Sequence, residues 1–362
     1  MITAAPGPRQ PARGRRPSWP RRAVLASVGG AATALLALSA CGSTPASSSA
    51  GAGSAASAAG NGQALVTVAY VPSPQLEPFF VALQDGDFTQ QDLDVRLTKV
   101  SSVQDGTTLA ATNKAQVVLG GFSAGLFDAI HQGQGLKVVG SLAQEAPGTP
   151  ANALVGAASL YQSGQVTSPA GLKGEKIAVD GGAGSAGAYL VAQALAPYHL
   201  TLSQVTLVNL GPAEMASALR TGAVAAASMT APYLGPAVSA GDGKILADAP
   251  AGLAVTGVIY GSAFAGTAAA QQFFDALAEA ADQLQGPAPG FPANLAIVAQ
   301  ATGESLSVLK AEPSSEFSPD LAPPASLLND MQDVYLSSKE LTYSTPIPTS
   351  SYVDGTFTNE LG

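Results

Sequence analysis

The chain has one cysteine, Cys41, two histidines, His131 and His199, and one tryptophan, Trp19. A lone cysteine excludes an intrachain disulfide framework, and together with only two histidines it argues against a Cys/His zinc site. Charge is also scarce: 11% of the 362 residues are Asp, Glu, Lys or Arg, with 16 basic side chains against 25 acidic ones. The basic residues are unevenly spread. Six arginines and no acid fall within residues 1–40, which leaves ten basic against 25 acidic side chains beyond them, a formal charge of −15. A surface of that sign argues against nucleic acid as a partner, because phosphate binding needs a basic footprint. Arg96 and Arg220 are the two arginines that remain after residue 40. The first should point outward from a strand and the second should sit at a helix end, so a guanidinium clamp on a ligand is not expected.

The opening of the chain reads as a leader. Arg15, Arg16, Arg21 and Arg22 precede an apolar run from Ala23 to Ala40, which ends in Leu38-Ser39-Ala40-Cys41. A basic start, a short apolar middle and small residues before the cut mark a secretory signal rather than a membrane span. The ending resembles a bacterial lipobox, in which Cys41 is acylated and becomes the mature N-terminus; the alternative is a buried structural cysteine. More than one acyl chain is needed for a stable anchor. Arg21-Arg22 looks like a twin-arginine signal, but Pro20 stands where Ser or Thr is usual, so either export route remains open. The expected boundaries are a signal over 1–40 and a flexible tether over 41–63, since Gly42 to Gln63 is nearly all Ser, Ala and Gly. Such a tether spans roughly 25 Å on average.

Periodic structure starts at Leu65. Leu65–Val71 reads as a strand, Phe79–Asp85 as a helix stopped at Gly86, and Leu93–Val100 as a half-buried strand. Val103–Thr112 and Gly125–Gln132 read as helices around a buried strand at Val117–Leu119, and Leu136–Leu142 is a further strand. The order restarts with strands at Lys176–Val179, Val205–Val208 and Ala223–Met229, separated by helices at Ala186–Ala196 and Glu214–Arg220. Ala111-Thr112-Asn113-Lys114-Ala115 is echoed by Arg220-Thr221-Gly222-Ala223-Val224, each a helix end at a residue tolerant of positive φ. Two α/β lobes follow, each a mostly parallel sheet flanked by helices. A strand at Val255–Tyr260, a helix at Ala268–Leu284 and Pro-interrupted helix and loop complete the chain, packed around the first lobe.

Three motifs bear on chemistry. Gly121-Phe122-Ser123-Ala124-Gly125 fits the G-x-S-x-G pattern of a serine-hydrolase elbow, with Ser123 as nucleophile. A base is hard to find: His131 lies two turns along the following helix, and His199 sits in a Pro197-Tyr198-His199-Leu200 turn. The hydrolase is therefore the disfavoured alternative, and no catalytic residue or metal site is expected. Gly182, Gly184 and Gly187 make G-x-G-x-x-G after a strand, yet the next acid is Glu214, too far on to hold a ribose. The motif is left as either an N-cap at Ser185 or a helix start whose amides attract a negative or polar ligand group. The third feature is the set of loops at the strands' carboxyl ends, where open α/β sheets bind ligands. These place Ser73, Gln75, Phe122, Ser123, Gly184, Ser185, Tyr189, Thr230 and Tyr233 as candidate ligand-binding residues.

The chain also resembles a known family, the solute-binding proteins of nitrate, sulfonate, taurine and thiamine-precursor ABC importers. The residues that carry the resemblance are Ala82-Leu83-Gln84-Asp85-Gly86-Asp87-Phe88 with Leu93-Asp94-Val95, Gly171-Leu172-Lys173-Gly174-Glu175-Lys176-Ile177-Ala178-Val179, Ala218-Leu219-Arg220-Thr221-Gly222-Ala223-Val224, and Leu341-Thr342 to Asp354-Gly355-Thr356-Phe357. The resemblance implies a two-lobed type II periplasmic-binding-protein fold with a two-strand hinge. Lobe 1 would then be 64–152 plus 254–362, and lobe 2 would be 153–253. It further implies no enzyme activity and no cofactor. The expected protein is a monomer on the outer face of the cell membrane, anchored through Cys41, that passes a small solute to an ABC permease and its ATPase. A sulfonate-, taurine- or nitrate-like anion is the favoured solute, and a thiamine-precursor pyrimidine or other neutral heterocycle is the alternative. Three positions depart from the family pattern: Gln116 and Ala225 where Asp is common, and Ala231 where an acid often precedes the proline.

Overall fold

The computed structural model describes residues 62–361 apart from residue 314. The expected signal, Cys41 and nearly all of the tether lie outside the described residues.

Ten strands form two five-stranded sheets. The first contains β1 (Ala64–Tyr70), β2 (Leu93–Lys99), β3 (Val117–Gly121), β4 (Leu136–Ala143) and β10 (Thr256–Gly261) in the order β2-β1-β3-β10-β4. The second contains β5 (Asn152–Ala157), β6 (Lys176–Val179), β7 (Thr206–Asn209), β8 (Ala226–Thr230) and β9 (Gly243–Asp248) in the order β7-β6-β8-β5-β9. β1 is parallel to β2 and β3, and β6 is parallel to β7 and β8. In each sheet the fourth strand runs against its neighbours: β10 is antiparallel to β3 and β4, and β5 to β8 and β9. Both sheets are thus mixed, with four of five strands running one way.

Side-chain alternation decides what covers each face. In β3, Val117 and Leu119 enter one cluster with Phe79, Phe80 and Phe273, from the Glu77–Asp85 and Ala268–Gln283 helices. Val118 points the other way, against Phe127 and Tyr335 of the Ala124–His131 and Ala325–Ser337 helices. The second sheet repeats the scheme. Ile177 and Val179 pack on the Ala186–Leu195 helix, while Ala178 faces Met215 and Leu219 of the Pro212–Thr221 helix. Burying each large aliphatic or aromatic side chain contributes roughly 1.5–3 kcal/mol, so two-sided burial accounts for both layered stacks.

The chain leaves the first sheet after β4 and returns to it at β10. Those two crossings are stitched together. The Glu145 N–H donates to Leu253 O (3.0 Å), the Gly252 N–H to Glu145 O (2.8 Å) and the Ala249 N–H to Asn152 O (3.0 Å). The Glu145 carboxylate, 2% exposed, accepts from the N–H groups of Ala151 (2.7 Å) and Asn152 (3.2 Å) and from the Asn152 side-chain amide. The echoed helix ends adopt the expected conformation, with φ of +56° at Asn113 and +71° at Gly222. Gln116 serves the turn where an Asp was expected, its side-chain carbonyl accepting from the Thr67 N–H at 2.8 Å.

Candidate functional site

The loops at the strands' carboxyl ends meet between the two sheets at a seam and, apart from it, at a small cavity. The seam is formed by two helix starts. Ser123 caps the Ala124–His131 helix by accepting from the Leu126 N–H (3.4 Å), and Ser185 caps the Ala186–Leu195 helix by accepting from the Ala188 N–H (3.2 Å). The Ser185 hydroxyl also donates to Gly182 O (2.8 Å). The two starts touch directly, because the Ala124 N–H donates to Gly184 O at 2.8 Å. A side chain on Gly184 would place its Cβ 2.8 Å from the Ala124 Cβ, so the glycine is needed for this approach. The G-x-G-x-x-G signal thus does mark a close backbone contact, but what approaches is the other lobe. Tyr335, fully buried on the Ala325–Ser337 helix, ties into the seam, its hydroxyl donating to Ser185 O at 2.9 Å.

Two of the expected aromatic contacts sit in the core. Phe122 has 0% exposure and lies against Gly257, while Tyr189 is 1% exposed. Burial, with Asp330 nearby, pushes the Tyr189 phenol up to about 12. Ser123 also lacks the partner a nucleophile needs. Its extended backbone (φ −148°, ψ 160°) is that of an ordinary cap, and His131 stacks on Tyr343 (ring centroids 4.4 Å apart) at the far end of the same helix. Eight residues of helix separate the two by about 12 Å. His199 is exposed in a left-handed turn with φ +56°.

The cavity is lined by Pro74, Gln75 and Glu77 from the first lobe and Ala231 from the second. The rest of its wall comes from Leu295, Val298, Leu309, Glu312, Pro313 and Ser315. It has a volume of about 30 Å³. Ser73 shapes the entry to this region: its hydroxyl accepts from the Gln75 N–H at 3.2 Å, starting a short turn that delivers Gln75 and Glu77. The Gln75 side-chain carbonyl accepts from Thr256 Oγ1 at 2.6 Å. Beside the cavity two further bonds span the sheets. The Tyr233 hydroxyl donates to Glu304 Oε1 (3.2 Å), and the Gly235 N–H donates to Glu312 Oε1 (3.1 Å). Thr230, half-buried at the end of β8, makes one long bond of 3.4 Å to Ala231 O.

The cavity's electrostatics are one-sided, for its lining includes no Lys, Arg or His. Glu77 is 5% exposed and its Oε1 has no hydrogen-bond partner among the described residues; Glu312 Oε2 is likewise buried and unpartnered. Burial pushes the Glu77 carboxyl up to about 8. Glu312 is raised by burial against the opposing pull of the Gly235 N–H, and Tyr233 is raised by burial and by Glu304. Asp180, at the end of β6, is also raised by burial. Sequence reasoning missed Glu77, Glu304 and Glu312. The signal for Glu77 was a carboxylate placed inside the apolar run Leu76-Glu77-Pro78-Phe79-Phe80. Among the described residues no group of three or more His, Cys, Asp or Glu could hold a metal ion, and no helix is long and apolar enough to cross a membrane.

Two mixed sheets joined by paired crossings, with strand-end loops facing one another, define a two-lobed protein of the periplasmic-binding-protein fold. The sequence pattern described as NMT1/THI5 like matches residues 73–281, more than half of the chain. The chain belongs to that family. No curated protein sequence matches it. Among solved structures it is similar to the alkanesulfonate-binding protein SsuA from Xanthomonas axonopodis pv. citri bound to MOPS. That match has 18% identity and a TM-score of 0.63, covering 80% of this chain and 98% of that one. The periplasmic aliphatic sulphonate binding protein SsuA from Escherichia coli gives 18% identity, 80% and 92% coverage and a TM-score of 0.64. The periplasmic nitrate-binding protein NrtA from Synechocystis gives 11% identity, 82% and 85% coverage and a TM-score of 0.61.

Proposed function

We propose that this chain is the exported receptor of an ABC importer: it captures a small organic solute between its two lobes and delivers it to the permease and ATPase. One observation carries the reading. The two lobes meet through hydrogen bonds at Ala124–Gly184, Tyr335–Ser185, Tyr233–Glu304 and Gly235–Glu312, with a small cavity beside the last of these. Contacts that span two bodies with a small cavity between them are what closure on a guest requires. The basic, apolar and Cys41 sequence of the leader supports export and acyl anchoring on the outer face of the membrane. The hinge, under this reading, is the pair of crossings held by Glu145, which divides lobe 1 (64–152 and 254–362) from lobe 2 (153–253).

The sulfonate- or nitrate-like solute expected from the sequence draws support from what the similar structures bind. Its natural donors would be the helix starts at Ser123 and Ser185, but the Ala124 amide is already donated to Gly184 and both hydroxyls cap their own helices. Native mass spectrometry of the chain purified from its own membrane tests the function. One small molecule should ride with each chain and leave on mild denaturation, unchanged after prolonged incubation. A broad solute panel in which nothing raises the melting temperature would refute the reading, since a ligand that binds the native state stabilises it by RT ln(1 + [L]/Kd).

A further inference from the structure

We propose that the Glu77–Glu312 cavity receives the positively charged, N–H-donating head of the solute, a primary ammonium or an amidinium group. The proposal rests on the solute-receptor reading and names the class of solute. Its basis is a mismatch between what lines the cavity and what those groups need. Glu77 is nine-tenths buried and lines the cavity, with Oε1 unpartnered, and Glu312, whose Oε2 is buried and unpartnered, lines it as well. The remaining polar groups are mostly spoken for: the Gln75 carbonyl takes the Thr256 hydroxyl, and Glu312 Oε1 takes the Gly235 N–H. The cavity therefore has a surplus of acceptors and no cation of its own. A buried carboxyl oxygen without a donor has lost its hydration and gained nothing in return, and an incoming group that supplies the missing donor recovers that loss.

Size and shape agree with a head group rather than a whole solute. A cavity needs roughly 10–15 Å³ of free space to hold one water, so about 30 Å³ admits a group of ammonium or amidinium size. Leu295, Val298 and Leu309, all nearly buried, form an apolar cluster along the same cavity, so a hydrocarbon part attached to the cation would meet greasy walls. A bare metal ion fits poorly, because fewer than three carboxylate, thiolate or imidazole ligands gather here among the described residues.

The protonation state gives the cation a signature. Glu77 is neutral near pH 7 when the cavity is empty, since burial raises it to about 8. A cation must displace that proton to form an ion pair. The elements packed against the Glu77–Asp85 helix carry Asp275, Glu279 and Asp282 (Ala268–Gln283 helix) and Asp87 (Asp87–Gln90 helix). The Pro292–Thr302 helix carries no ionisable side chain, and the segment across the cavity adds Lys310, exposed, and Glu312. None of these is a cation facing Glu77 that could hold it ionised in advance.

The test is titration calorimetry of the full mature chain with putrescine, agmatine and benzamidine beside nitrate, ethanesulfonate and a neutral 4-aminopyrimidine. At least one amine or amidine should bind one to one. Its affinity should rise about tenfold from pH 6 to pH 7 and flatten above pH 8, with about one proton released per ligand at pH 7. Glu77→Gln should weaken that binding roughly a hundredfold and abolish the proton release, and Glu312→Gln should weaken it as well. Melting curves confirm that both variants fold. If nitrate or ethanesulfonate binds and Glu77→Gln leaves its affinity unchanged, the cation assignment falls while solute capture stands. Binding of the aminopyrimidine without proton release overturns it in the same way. If the chain releases no copurified solute and none of the panel binds, capture fails and this assignment falls with it.

Discussion

Replacing Glu77 by glutamine separates the burial of a carboxyl group from the burial of its charge. In the folded chain the group titrates near 8, against 4.5 for the ordinary carboxyl. The native state therefore holds a proton that the unfolded chain gives up, and between those two values stability falls as pH rises. The slope is about 1.4 kcal/mol per pH unit for one group. By pH 7 the deficit is about 3 kcal/mol, and above pH 8, where both states are ionised, it levels off near about 5 kcal/mol. Glutamine has nearly the same shape and no charge, so the variant should escape this loss. For roughly 300 folded residues, unfolding entropy near 2.1 cal/mol/K per residue converts about 3 kcal/mol into a melting-temperature gain of about 5 °C at pH 7.

The offset between the two proteins mixes several effects, because an unpaired amide is itself uncomfortable when buried. The pH dependence of the offset does not. Other raised carboxyls, at Asp87, Glu145, Asp180 and Glu312, are present in both proteins and cancel in the difference. Melting curves at pH 4, 5, 6, 7 and 8 in low-salt buffer should show little gain at pH 4 and a steady increase through pH 8. A gain that stays constant across that range would show that Glu77 is ionised in the native state throughout, and the account of the cavity as an uncompensated acidic site would be wrong.

Three further substitutions probe the hinge and the seam. Glu145→Ala strips the acceptor from the Ala151 and Asn152 N–H groups and from the Asn152 side chain, so urea denaturation should show a loss of about 3 kcal/mol. Gly184→Val puts a branched side chain where even a Cβ would lie 2.8 Å from Ala124; solute affinity should drop more than tenfold with little change in melting temperature of the solute-free protein. Tyr335→Phe removes one lobe-crossing bond worth about 1 kcal/mol, and calorimetry should read a several-fold weakening of solute binding.

The parallel part of each sheet was legible in the sequence because β-α-β order and strand alternation report directly on two-sided burial. The second antiparallel strand of the scheme, β5, was not. Asn-Ala-Leu-Val-Gly-Ala is buried at every position, so it shows no alternation, and its small residues resemble the surrounding loop. β9 was missed for the opposite reason: Gly-Lys-Ile-Leu-Ala-Asp is short, with Ile245 exposed, and its identity as a strand depends on pairing with β5, distant in sequence. The candidate site divides similarly. Ser123, Gly184 and Ser185 stood out as candidate ligand contacts because short Gly- and Ser-rich helix starts are local signals, and the structure places them where the two helix starts touch. Glu304 and Glu312 stand far along the chain from Tyr233 and Gly235, and nothing local announces that a surface-looking glutamate will be folded over a cleft.

The seam and the cavity act on the same equilibrium with opposite sign. The four lobe-crossing hydrogen bonds favour contact by about 1 kcal/mol each once exchange with water is counted. Against them stands Glu77, whose cavity is walled partly by Ala231 of the second lobe and by Glu312, itself held by Gly235 of that lobe. Withdrawal of the second lobe removes that wall and lets water reach the carboxyl, so burial of Glu77 opposes closure when the cavity is empty. The bonds contribute about 4 kcal/mol, and the carboxyl offsets them by that part of its burial cost, about 3 kcal/mol at pH 7 against the unfolded chain, which the second lobe imposes. A cation that pairs with Glu77 reverses the second contribution and leaves the first intact. Swinging a two-state equilibrium from one part in a hundred to ninety-nine takes about 5.5 kcal/mol of differential affinity, and relieving the burial of Glu77 supplies a share of it. A solute that left the carboxyls unpaired would have to obtain the whole of that difference from new contacts.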